Sequence, residues 1–146
     1  MAYNTDGRIV RNFSIDEMSN SMTSDPVKLV ITPEVVEFAQ MMQHLRNYCG
    51  KPMKVNSWYR TKEFNTRIGG DVNSAHLDGI AADIALPSIT DRNRNNLIEV
   101  WRSICINYGV IGGVSIYSWG VHFDANKNPM RYGKLSNTFR ITDFRR

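Results

Sequence analysis

The chain has 146 residues, 42% of them hydrophobic and 22% charged, with a formal net charge of +4; this length suits one compact core, and the composition excludes a disordered or collagen-like chain. No stretch reaches the roughly 18 to 20 continuous apolar residues of a membrane span, and the amino terminus has no apolar core of the signal-peptide kind. The basic residues are scattered apart from Arg140, Arg145 and Arg146, so neither a membrane nor a nucleic acid is expected as a partner, and the two cysteines are too few for a disulfide framework.

In chain order, Ser14-Ile15-Asp16-Glu17 reads as a capping box, in which the serine caps the third amide and the glutamate reaches back, and it predicts a short first helix. Thr32, Pro33 and Glu34 follow as an N-cap, a proline at the first helical position and an acid at the positive helix end. Val35, Phe38, Met42, Leu45 and Cys49 then recur at steps of three and four until Gly50 and Pro52. This stripe predicts a core-packing helix whose methionines need no cofactor, and His44, lying off it, is expected at the surface. Residues 53–58 suit a short strand, 61–68 a short helix ended by Gly69 and Gly70, and 81–86 a buried strand between Gly79 and Pro87. A second long helix is expected from Thr90 and Asp91 to Gly109, with Leu97, Val100, Trp101, Ile104 and Tyr108 on one face. Residues 110–124 read as two strands or a hairpin around 117–120, and 138–141 as a last strand. The order predicts an α+β fold in one domain over residues 1–146, with Cys49 and Cys105 as buried free thiols in helical patterns.

The chemistry is concentrated in Ser74-Ala75-His76-Leu77-Asp78-Gly79-Ile80-Ala81-Ala82-Asp83 and, further on, in Gly120-Val121-His122-Phe123-Asp124. Two histidines and a carboxylate are nitrogen and oxygen donors that suit zinc, and three protein ligands leave a fourth position open, as in catalytic rather than structural sites. His76 would sit at a turn or strand end, Asp83 in the following strand, and His122 on a neighbouring strand, so the three converge only through the fold. By spacing alone, the pattern also suits histidines satisfied by hydrogen bonds near strand ends.

The first segment matches S-x-H-x-x-G-x-A-x-D and so resembles the zinc motif of the M15 peptidases, which include D-Ala-D-Ala carboxypeptidases, dipeptidases and phage endolysins. Upstream, Val55-Asn56-Ser57-Trp58-Tyr59-Arg60 with Asn65 and Gly69-Gly70 is similar to the S-G-Y-R-S…N…G-G run of the small carboxypeptidase-like group. Downstream, Gly112-Gly113-Val114-Ser115-Ile116-Tyr117 before His122-Phe123-Asp124 resembles its G-G-x-G-x-Y…V-H-x-D ending. The resemblance covers residues 55–124 in family order. It implies an α+β fold in which a small antiparallel sheet, packed against helices, carries the metal site.

Carried over by position, the resemblance makes His76, Asp83 and His122 zinc ligands and Arg60 the family arginine that holds a substrate carboxylate or carbonyl. The structural alternative for Arg60 is a surface ion pair or a brace for the Ser74 loop; Ser74 in turn either contacts substrate or caps that loop. Several M15 branches carry a catalytic acid three residues before the last zinc histidine, and Trp119 stands there in this chain. Asp124, two residues beyond His122 on the same strand face, is the replacement candidate, either as general base or as an acid that orients His122. The resemblance thus implies a zinc peptidase acting on peptidoglycan stem peptides or cross-links, of a phage lysin or virion component made in the host cytoplasm. The competing expectation is a wall-binding module that keeps zinc and has lost turnover.

Overall fold

The computed structural model describes residues 9–19, 29–71, 74–86, 91–126 and 139–143. Helix α1 (Ile15–Met18) starts at the predicted capping box: the Ser14 side chain accepts from the Glu17 amide, and the Glu17 carboxylate accepts from the Ser14 amide. Helix α2 (Pro33–Cys49) has Thr32 as its N-cap and ends where Gly50 turns left-handed at φ 64°. Its stripe of Val35, Phe38, Met42 and Leu45 is buried, whereas Cys49, the last helical residue, is half-buried and only Cys105 is a fully buried thiol. The helix end explains this difference, since the last turn runs out past the core it packs on.

Strand β1 (Lys54–Ser57), helix α3 (Lys62–Arg67), a single 3-10 turn (Ala75–Asp78) and strand β2 (Ala81–Ala85) follow. Helix α4 (Asp91–Asn107) then leads to strands β3 (Gly113–Ile116), β4 (Gly120–Asp124) and β5 (Arg140–Asp143). Thr90 and Thr138, the expected first residues of the second long helix and of the last strand, lie outside the described residues. The fold class is α+β as expected.

The five strands form one sheet in the order β1-β2-β4-β3-β5. The sheet is mixed, which corrects the expectation of a wholly antiparallel one: β5 runs parallel to β3. A tight turn forces neighbouring strands to be antiparallel, as between β3 and β4, but residues 125–139 make a connection long enough for the crossover that parallel pairing needs.

Alternation along the strands sorts the two faces. Ala82, Ile84, Val121, Phe123, Val114 and Ile116 share a buried face, where Phe123 meets Trp101 of α4 and Trp101 meets Phe38 of α2, edge to face. The opposite face carries two cross-strand rows. One joins Ser57, Asp83, His122, Ser115 and Thr142, and the next joins Ala81, Asp124, Gly113 and Arg140. Register therefore puts both strand-borne residues of the metal motif side by side before any side chain is considered.

Candidate metal centre

His76 comes from the 3-10 turn rather than from a strand, and that turn is fastened at both ends to the chain after β1. The Trp58 indole donates to the Gly79 carbonyl at 2.8 Å, and the Arg60 amide donates to the His76 carbonyl at 3.0 Å. Trp58 is fully buried, edge-on to Phe13 and Phe38, so the turn is pinned to the aromatic core. Gly79 closes the turn at φ 71° with Leu29 and Val35 packed on its Cα, a conformation and a closeness that a side chain would not tolerate.

The hydrogen bonds settle which ring atom His76 presents and which carboxylate each nitrogen of His122 faces. His76 is 2% exposed, and its Nδ1–H donates to the Trp58 carbonyl at 2.6 Å. Its Nε2 therefore carries a lone pair, is sealed from solvent, and makes no hydrogen bond among the described residues, lying 3.3 Å from Asp83 Oδ1. His122 directs Nδ1 at Asp83 Oδ1, 2.9 Å away, and Nε2 at Asp124 Oδ2, 3.0 Å away. One donor atom from each of His76, Asp83 and His122 lies within 4.8 Å of the others. A buried imidazole nitrogen without a partner is costly, and a cation between the three residues would satisfy it. The donor set of two imidazoles and one carboxylate fits zinc.

Electrostatics distinguish the three groups. Burial depresses the pKa of His76, with the neighbouring Asp83 carboxylate opposing, so it stays neutral and ready to ligate. Burial acts in the same sense on His122, but hydrogen bonds to Asp124 and Asp83 outweigh it and raise its pKa to about 9. At neutral pH the metal-free His122 thus holds a proton on Nδ1, and an entering cation would take that proton's place. Burial alone would raise Asp83, yet the hydrogen bond from His122 and the nearness of His76 hold its carboxyl well below the usual range.

The other residues singled out in the sequence commit their atoms in particular ways. Arg60 donates Nε to Ser57, one terminal nitrogen to Asn65 at 3.4 Å, and the other to Asp83 Oδ2 at 3.2 Å. It therefore braces the Asp83 carboxylate, and its guanidinium keeps further N–H groups directed elsewhere. The Ser74 hydroxyl accepts from the His76 amide at 3.2 Å, which is the capping arrangement. Asp124 is 2% exposed, with Oδ2 on His122 and Oδ1 accepting from Arg140 and from the Asn126 amide. Trp119 is 39% exposed and stacks on Tyr117 at 4.9 Å between ring centroids. His44 is exposed and meets the Tyr108 hydroxyl, away from the centre.

Three contributors were not singled out for the site by sequence: the Trp58 carbonyl, Tyr117 and Arg140. The first is a backbone atom, invisible to any side-chain pattern. Tyr117 is seen in the motif, but only the fold brings it under the influence of Asp83 and Arg60; burial, then Asp83, raise the pKa of its hydroxyl. Arg140 lies beyond the motifs altogether.

No curated protein matches this chain. The family model described as Peptidase M15 matches residues 11–124, which is most of the chain and spans the ligand turn, β2 and β4. With that match and the His-Asp-His geometry it encloses, the chain belongs to the peptidase M15 family.

Proposed function

We propose that the chain is a zinc metallopeptidase that hydrolyses peptide bonds in peptidoglycan stem peptides or cross-links, as a carboxypeptidase or endopeptidase of the D-Ala-D-Ala type. A phage lysin or virion-associated wall enzyme is the proposed setting. The observation that carries the reading is the convergence of a buried His76 Nε2, without a hydrogen bond among the described residues, with Asp83 and His122 Nδ1. Zinc held by these three residues would supply a Lewis acid for the scissile carbonyl and would lower the pKa of a bound water toward neutrality.

The protein's own residues orient the centre and its substrate. Trp58 fixes the tautomer of His76, and Arg60 holds Asp83 by its second oxygen. The N–H groups of Arg60 not spent on that brace are the proposed anchor for a substrate carboxylate or carbonyl oxygen. Asp124, with both oxygens engaged, acts as the acceptor that orients His122 rather than as a freely mobile base.

That engagement, together with Trp119 at the position of the family acid, favours one second reading: a wall-binding module that holds zinc and has lost turnover. Incubating zinc-loaded protein with purified peptidoglycan and identifying the released fragments by mass spectrometry separates the two. Defined peptides that vanish with chelator and with His76→Ala establish the peptidase and name its bond. Wall affinity and bound zinc without any release establish the binding module.

A further inference from the structure

We propose that Arg140, on strand β5, is a positioning residue of the metal centre: it fixes Asp124 so that Asp124 fixes His122. The inference rests on the reading of His76, Asp83 and His122 as metal ligands. Arg140 lies outside the matched residues 11–124, so β5 adds to the family core an element that reaches its metal site.

The sheet register makes the contact. Gly113 pairs with Asp124 on one side and with Arg140 on the other, so Arg140 and Asp124 stand two strands apart in one row. Two strand spacings are about 10 Å, within reach of an arginine side chain laid across the sheet. The strand between them must then present no side chain. A Cβ on Gly113 would come within 2.8 Å of an Arg140 terminal nitrogen and 2.9 Å of its guanidinium carbon. Gly113 is thus the gap through which Arg140 passes to bond Asp124 Oδ1 at 2.5 Å. Beside Arg140, Phe139 lies under the Arg102 guanidinium of α4 at 5.3 Å, a cation–π contact that ties β5 to the helical layer.

The consequence for His122 is geometric. Without Arg140, only the single bond from the Asn126 amide would hold Oδ1 of this buried carboxylate against rotation about Cβ–Cγ. With Oδ1 taken by Arg140 and the Asn126 amide, only Oδ2 remains for His122 Nε2–H. The acceptor at Nε2 obliges the neutral ring to keep its proton there, which leaves Nδ1 as the ligand atom facing Asp83. The row Arg140–Asp124–His122 thereby links the last described strand to the metal position.

The test compares Arg140→Met, Arg140→Lys and Gly113→Ala with the wild type. Zinc affinity is measured by competition with a chromophoric chelator, and imidazole N–H resonances by proton NMR of the cobalt-loaded chains. Arg140→Met should weaken zinc binding on the order of tenfold, the lower end of the loss seen when a ligand's hydrogen-bond partner is removed. The His122 Nε2–H resonance should shift and exchange faster, while the His76 Nδ1–H resonance, held by the Trp58 carbonyl, stays put. Lysine should recover part of the affinity through a single contact. Gly113→Ala, which pushes the guanidinium aside but keeps both charges, should reproduce the methionine result and serves where Arg140→Met fails to fold. Wild-type affinity and an unmoved His122 resonance in Arg140→Met, or in Gly113→Ala where Arg140→Met fails to fold, would overturn the proposal. A wild-type chain that binds neither ion would overturn the metal reading beneath it, a result distinct from the first.

Discussion

Replacing Asp124 by asparagine sets the orienting role against the base role. Three donors converge on this carboxylate: Arg140 and the Asn126 amide at Oδ1, and His122 Nε2–H at Oδ2. Asparagine offers one oxygen and one NH2 group. Turning the NH2 toward Arg140 and the Asn126 amide would set donor against donor twice, so the oxygen goes there and the NH2 faces His122. The ring must then carry its proton on Nδ1, the atom directed at Asp83 and required for the metal. Losing a hydrogen bond to a charged group costs about 1.5–3 kcal/mol, which corresponds to a zinc affinity roughly 10- to 150-fold weaker. Competition with a chromophoric chelator reads that loss directly, and peptide release at saturating zinc should stay within about tenfold of wild type. A general base would give the opposite pattern, unchanged zinc affinity with turnover down by about 10²- to 10⁴-fold. That outcome would refute the orienting role.

The metal-free protein should lose stability as pH rises through about 9. The folded pKa of His122 is raised from 6.5 to about 9, so its contribution is complete below the unfolded value and disappears above the folded one. The amount is on the order of 3 kcal/mol, zinc should abolish the dependence, and thermal melts from pH 6 to 10 with and without zinc check both statements. On the acid side, Asp124 is held down to about 2 and Asp83 well below the usual carboxylate range, because the hydrogen bonds from His122, with the nearness of His76 at Asp83, outweigh the effect of burial. Their contribution should be intact above about pH 4 and fail as the pH approaches 2. Trp58→Phe keeps the carbonyl that orients His76 but leaves the Gly79 carbonyl without its indole donor. It should cost about 1–3 kcal/mol, read as a lower midpoint in urea. Trp119→Glu restores an acid at the family position; peptide release rising by tenfold or more would identify Trp119 as what limits the chemistry, and no rise would clear it.

The local sequence determined a great deal. Caps and apolar spacing placed α2 and the capping box of α1, because these depend on residues within one or two helical turns of one another. The motif was legible because Gly79 must follow His76 for the turn to close, and because Asp83, two residues beyond Ala81, faces the same side of the sheet as Ala81. What sequence could not decide is what each neighbour does with its atoms. The residues Ser57, Asn65 and Asp83 spend three donors of Arg60, a choice visible only when β1, α3 and β2 are assembled. For Asp124 the sequence leaves base and orienting group open, and only the assembled sheet shows Arg140 of β5 crossing Gly113 to its Oδ1. That strand pairs parallel to β3 through a long connection, and a contact closed over such a distance leaves no periodicity for sequence to carry. Residue types set which bonds could form here; the register of the sheet set which ones did.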